Sequence, residues 1–154
     1  MANAEARLQQ LGITVNLPAT PLGAYVPTVR AGNLVFVSGT MPVLDGKLVA
    51  TGKVGAEVSI EQGRLAARQA MINALGSLKG EIGSLDRVKR IVRVEGHVAS
   101  APGFIDQPQV VNGASELLAE VFGDAGKHTR VAVGSAELPL NAPIEIALIA
   151  EVDF

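Results

Sequence analysis

The chain predicts an α+β fold in which two helices pack on one face of a mixed sheet. Three observations predict it. Patterned segments follow one another in the order strand, hairpin, helix, strand, helix, strand, strand. Ser59 and Gln62 form a capping-box pattern ahead of a long segment with helical apolar spacing. The last segment, Ile144 to Val152, alternates with a period of two.

The elements follow in chain order. Ala4, Leu8 and Leu11 share a face of a short helical lead-in over residues 4–11. Pro18, Pro21 and Pro27 then hold the chain extended through Thr28. Leu34-Val35-Phe36-Val37-Ser38-Gly39 reads as a short apolar strand after a turn at Gly32-Asn33. Asp45-Gly46, between Val43-Leu44 and Leu48-Val49, is a hairpin signal.

The long helix opens after Ser59, with Glu61 in its first turn complementing the helix dipole. Its predicted buried stripe is Leu65, Ile72, Leu75, Leu78 and Ile82, and Gly80 and Gly83 mark its predicted end. Val88, Val92, Val94 and Val98 alternate with Lys89, Arg93, Glu95 and His97, as in a strand with one polar-rich face, although Arg90 and Ile91 swap the expected sides. A second helix follows Ser100-Ala101-Pro102-Gly103, with Asp106 as its cap and Pro108 in its first turn. Val111, Ala114, Leu118 and Val121 form its stripe, and Gly123 to Gly126 break it. Residues 130–136 and 144–152 are the last two strands. The sheet face away from the helices carries apolar and charged residues together, which predicts burial against another subunit.

Composition narrows the function classes. A chain of 154 residues, 48% hydrophobic and 18% charged, is long enough to bury a full core as one domain. Net charge is −2, no run of like charge appears and aromatics are only 3%, which argues against the basic patch and stacking rings of a nucleic-acid binder. With no cysteine there is neither disulfide nor thiol chemistry. No metal site is expected: the two histidines, His97 and His128, show no ligand spacing. The residues from Met1 to Arg7 have no signal-peptide pattern, and no apolar run approaches a membrane span, so a soluble cytoplasmic protein is the expectation.

Arg130 is the most informative residue. It sits in the apolar run His128-Thr129-Arg130-Val131-Ala132-Val133, and a guanidinium taken out of water needs an anionic partner. That partner is either a carboxylate of the protein or one supplied by a ligand. His128, two residues earlier, pairs a titratable base with this anchor if the strand has begun there; a loop histidine is the bland reading. Gly123-Asp124-Ala125-Gly126-Lys127-His128 has a Walker-like look but lacks Ser or Thr after the lysine and follows a helix, so it reads as a turn. Asn112 on the second helix and Tyr25 in a proline-flanked stretch are further pocket candidates. The hydroxyl and backbone amides at Ser38-Gly39, at a strand end, are another.

Taken in order, several segments resemble the Rid family, also called YjgF or endoribonuclease L-PSP. They are Gly23-Ala24-Tyr25, Val37-Ser38-Gly39-Thr40-Met41-Pro42, Gln69 through Asn73-Ala74-Leu75, and Val88-Lys89. Phe104, Asn112, Arg130-Val131-Ala132-Val133, Leu138-Pro139 and Ile144-Glu145-Ile146 continue the series. The resemblance runs from about residue 20 to the C-terminus, leaving residues 1–19 as an N-terminal extension and 20–154 as a single Rid-like domain. It implies a chorismate-mutase-like fold and a homotrimer with pockets between subunits. It further implies cofactor-free hydrolysis of reactive 2-imino acids or enamines to 2-keto acids and ammonia.

Through the resemblance, Arg130 matches the arginine that clamps the substrate carboxylate. Tyr25, Ser38, Gly39 and Asn112 match other substrate-binding positions. The glutamate that orients water in deaminating members aligns with Ala147, which can place no water. Glu145, on the same strand face, and His128, where proline is usual, are the candidate replacements, so Arg130, His128 and Glu145 form the expected catalytic set. A non-catalytic 2-keto acid sensor on the same pocket is the alternative, and an endoribonuclease or translation inhibitor is a third reading. The expected partners are a small carboxylate metabolite and further copies of the chain, with no membrane; composition argues against nucleic acid.

Overall fold

Alternation and helical spacing resolve into a five-stranded sheet with its helices on one side. The structure, a computed structural model, describes residues 3–18, 21 and 23–153. The expected extended run between Pro18 and Pro27 lies partly outside the described residues, at 19, 20 and 22. Helix α1 (Ala4–Gln10) leads into strands β1 (Thr28–Ala31) and β2 (Leu34–Thr40) and the hairpin β3 (Val43–Leu44) and β4 (Lys47–Leu48). Helix α2 (Ile60–Ile82), β5 (Val88–Ala99), α3 (Gln107–Phe122), β6 (Thr129–Ser135) and β7 (Ile144–Val152) complete the order. The sheet runs β1-β2-β7-β5-β6, antiparallel throughout except for the parallel β5–β6 pair.

The mixed α+β sheet matches the expectation, and the helical lead-in expected over residues 4–11 forms as α1, which packs with the two longer helices. Ala4 and Leu8 of α1 are buried in the common core. The Glu5 carboxylate accepts from the Leu85 N–H at 2.9 Å and pairs with Lys79 Nζ at 3.0 Å. Burial works to raise the Glu5 pKa, but the Leu85 N–H, the Lys79 ammonium and the Ser84 hydroxyl outweigh it and hold the carboxyl below its usual range. Strand β1 went unpredicted. It is four residues long, pairs on one side only, and carries Arg30 among exposed positions, so it has no alternation to read.

The capping box forms as its spacing requires. Ser59 Oγ accepts from the Gln62 N–H at 3.1 Å, and Gln62 Oε1 accepts from the Ser59 N–H at 2.9 Å. Two details of α2 correct the sequence reading. Leu65 is exposed (60%) and Ile72 only half-buried; the stripe that meets the sheet and α3 is built largely of Ala66, Ala67, Ala70, Met71, Ala74, Leu75 and Leu78. Small residues let the helices approach so closely that a Cβ on Gly113 of α3 would overlap the Arg64 backbone carbonyl. Gly80 lies inside the helix, and of the two expected terminators it is Gly83 (φ 85°) that ends it, its N–H bonding the Lys79 carbonyl.

The uneven alternation around Arg90 and Ile91 has a cause. Register against β7 shifts between Val88 and Arg90 and again between Ile91 and Arg93, so Ile91 turns into the core. Strand β7 alternates without a break: Ile144, Ile146, Leu148, Ala150 and Val152 are all buried. The hairpin turn at Asp45 (φ 54°) and Gly46 (φ 79°) has the doubly positive φ that the dipeptide predicts. Opposite the helices, Phe36, Ile149, Ala147, Val131 and Val133 share a sheet face with Arg93, Glu95, His97 and Glu145, and no element among the described residues covers it. No helix among them is long and apolar enough to cross a membrane.

Candidate functional site

Pairing decides where Arg130 points. It lies beside Val94 in the parallel β5–β6 ladder, and Val94 is fully buried on the helix side of the sheet. Arg130 therefore rises toward α3. Its Nη1 donates to Asn112 Oδ1 at 2.7 Å and to Ser115 Oγ at 3.2 Å. Both acceptors are neutral. Nε and Nη2 have no hydrogen-bond partner, and no carboxylate forms an ion pair with Arg130 among the described residues. Of the two partners the sequence left open, no carboxylate of the described residues takes the protein's part.

His128 stands just ahead of β6 and joins the same cluster through Ser115. Its Nδ1 lies 2.6 Å from the Gly126 carbonyl and its Nε2 lies 2.9 Å from Ser115 Oγ. A carbonyl only accepts, so Nδ1 carries the proton. In the neutral ring Nε2 then accepts the Ser115 hydroxyl proton, leaving a Ser115 lone pair for Arg130. The chain of donors runs from Arg130 to Ser115 to His128 to Gly126, with every group used once. Both ring nitrogens are occupied, so His128 steadies Ser115 and Arg130 in this arrangement.

Tyr25, Ser38, Gly39 and Glu145 assemble elsewhere, in a cleft of about 730 Å³ beside β2 and the start of β7. Register between β2 and β7 slips between Val37 and Thr40, so Ser38 and Gly39 bulge at the strand end. Ser38 Oγ donates to the Val26 carbonyl at 2.7 Å, and the Ser38 N–H donates to the Pro27 carbonyl at 2.9 Å. These two bonds tie the Tyr25 segment to the bulge. The Glu145 carboxylate lies directly over Gly39, where any Cβ would overlap it. That carboxylate has no hydrogen-bond or ion-pair partner among the described residues. Ala147 and His97 lie on the open sheet face, Ala147 opposite Glu95 and His97 opposite Glu145.

The candidate residues thus form two groups. Ser38 on β2 and Arg130 on β6 are three strand spacings apart, roughly 14 Å. Arg130 and Glu145 also point to opposite faces of the sheet. A three- to six-carbon acid cannot touch both groups of a single chain.

Asn73 is structural. Its amide donates to the Met41 and Val43 carbonyls at 3.0 and 2.8 Å and pins the small hairpin to α2. Sequence reasoning missed Ser115, although it lies three residues after Asn112 and so on the same helix face. It also missed Leu17 and Leu140, which line the cleft. No cluster of three or more His, Asp or Glu placed to hold a metal occurs among the described residues.

Comparison with known proteins places this geometry. The family model described as "YjgF/chorismate mutase-like, putative endoribonuclease" matches residues 5–152. Protein TCP17 of Trypanosoma cruzi is 40% identical over 149 residues, covering 96% of this chain and 93% of that protein. The crystal structure of the protein Atu1372 of Agrobacterium tumefaciens, of unknown function, superposes with a TM-score of 0.91 at 42% identity, covering 97% of this chain and 92% of that one. The YjgF gene product of E. coli gives a TM-score of 0.64 at 27% identity, covering 90% of this chain and 94% of that one.

Proposed function

Because the chain belongs to the YjgF/chorismate-mutase-like family, we propose that it binds small 2-imino or 2-keto acids at a site shared between two subunits of a homotrimer, and hydrolyses the imines. The observation that carries the reading is Arg130, a part-buried guanidinium with two neutral acceptors on one side and Nε and Nη2 without a partner among the described residues on the other. Such a fork binds a carboxylate with two parallel charge-assisted bonds. The second support is the split of the site. Its anion anchor and its unpaired carboxylate occupy separate places in one chain, while the exposed apolar residues Phe36 and Val133 lie on an uncovered sheet face. Association of copies through that face meets both needs.

In the proposed reaction Arg130 of one subunit holds the substrate carboxylate, positioned by Asn112 and Ser115, with His128 acting through Ser115. Ser38, Gly39, Tyr25 and Glu145 come from the neighbour. Glu145 accepts a proton from water as the water oxygen adds to the C=N carbon of the protonated imine, and gives that proton to the nitrogen. It then takes the hydroxyl proton as the C–N bond breaks, ammonia leaves and the carbonyl forms; the released ammonia carries the last proton away as ammonium. Glu145 stands in for the glutamate that the family resemblance would put at Ala147.

Ala147 itself favours a second reading, a binding protein that keeps the anchor without the chemistry. The test is decay of an imine made in situ by an amino-acid oxidase, with and without the protein and with Arg130→Ala. Acceleration that vanishes in the variant supports hydrolysis. No acceleration, with 2-keto acid binding that still needs Arg130, supports the second reading.

A further inference from the structure

The cleft beside Ser38 and Gly39 has one wall that the proposed reaction leaves unused. It comes from the N-terminal arm, residues 13–18, which leaves α1 and crosses the C-terminal half of α2. The crossing depends on two glycines one helical turn apart. A Cβ on Gly76 would overlap the Asn16 carbonyl, and a Cβ on Gly80 would sit 3.7 Å from Leu17 Cδ2. Ile13 and Val15 anchor the arm against the core, and Glu5 fastens the helix before it. This carries Leu17 to the cleft with 73% of its surface exposed.

Leu140 meets the same cleft from the turn at 139–141. It is 61% exposed and has φ 61°, a left-handed conformation that a leucine adopts only under strain. Strained, exposed apolar residues at a cleft are a mark of ligand contact more than of folding. Among the described lining residues there is no Lys or Arg; apolar groups dominate, and the charged ones, Asp45 and Glu145, are both acidic. The cleft therefore rejects a second anionic group and accepts an uncharged apolar one.

We infer that Leu17 and Leu140 form a side-chain subsite that selects 2-imino and 2-keto acids with long or branched apolar side chains over those with a methyl group. The inference rests on the carboxylate-anchored site proposed above. In substrate terms, the reaction supplying this protein would be a two-electron oxidation of the Cα–N bond of an amino acid with a bulky apolar side chain, the electrons passing to the flavin or nicotinamide of the supplying oxidase or dehydrogenase.

Titration calorimetry with 4-methyl-2-oxopentanoate and pyruvate tests it directly. Three extra carbons, partly buried, make the larger acid about tenfold tighter in the wild type. Leu17→Ser and Leu140→Asn each bring that ratio to about threefold or less. Asparagine tolerates positive φ better than leucine, so loss of selectivity in Leu140→Asn is not a folding defect. A wild-type ratio near one, or a ratio that neither variant moves, overturns the subsite. Selective binding that survives Arg130→Ala removes the anchor and keeps the subsite. Binding of neither acid overturns both.

Discussion

Replacing Asn112 with aspartate changes one atom group and should move stability and affinity in opposite directions. Asn112 Oδ1 accepts from Arg130 Nη1 at 2.7 Å, so an aspartate oxygen in its place meets the guanidinium as a charge-assisted bond. The part-buried ion pair should raise unfolding stability by about 1 kcal/mol. A ligand carboxylate on the Nε–Nη2 edge would then sit roughly 7 Å from the new charge, two hydrogen-bond lengths plus the guanidinium width. At an effective dielectric constant near 20 that repulsion is about 2 kcal/mol, or roughly thirtyfold in Kd. Thermal unfolding and calorimetric titration with a 2-keto acid read the two effects on the same sample. An affinity within twofold of wild type would refute the claim that the free edge of Arg130 is the anion anchor. A fall in both quantities would show a packing defect in place of the electrostatic one.

Three other perturbations follow from contacts already described. Gly113→Ala forces a Cβ onto the Arg64 carbonyl, and overpacking should outweigh the helix-propensity gain by about 2 kcal/mol, seen as a Tm lowered by several degrees. Gly39→Ala displaces the Glu145 carboxylate while leaving Arg130 untouched, so imine turnover should fall at least tenfold with 2-keto acid binding less affected. Glu5 has a depressed pKa, so its contribution is present above the unfolded-state value near 4.3 and is lost as pH falls through the lower folded-state value. Glu5→Gln should therefore cost up to about 1 kcal/mol at pH 7, and the difference from wild type should shrink in denaturant titrations below about pH 4.

Strong local signals in the sequence were legible and the ones that depend on assembly were not. Ser59 with Gln62, Asp45-Gly46 and the alternation of β7 are local rules, and each forms the element its residues predict. Leu65 misleads because the core side of α2 is made of alanines; close helix approach, not side-chain bulk, decides which face is buried. Gly80 reads as a helix terminator, yet it lies where the N-terminal arm passes over the helix, a long-range contact no local pattern encodes. At the site, the need of Arg130 for an anion was legible from the cost of burying its charge. Its link to Ser115 and His128 depends on how α3 sits against β6. The exposed, strained Leu140 has no sequence signature, because leucine at positive φ runs against its own propensity.

The central claim is that Arg130 of one subunit and Glu145 of its neighbour serve one site. Co-expression of differently tagged Arg130→Ala and Glu145→Ala chains, followed by purification through both tags, tests it. In a mixed ring of three, one interface pairs two intact halves, so about one third of wild-type imine hydrolysis should return although each variant alone is inactive. Mixed oligomers that carry both tags and stay inactive would contradict the shared site.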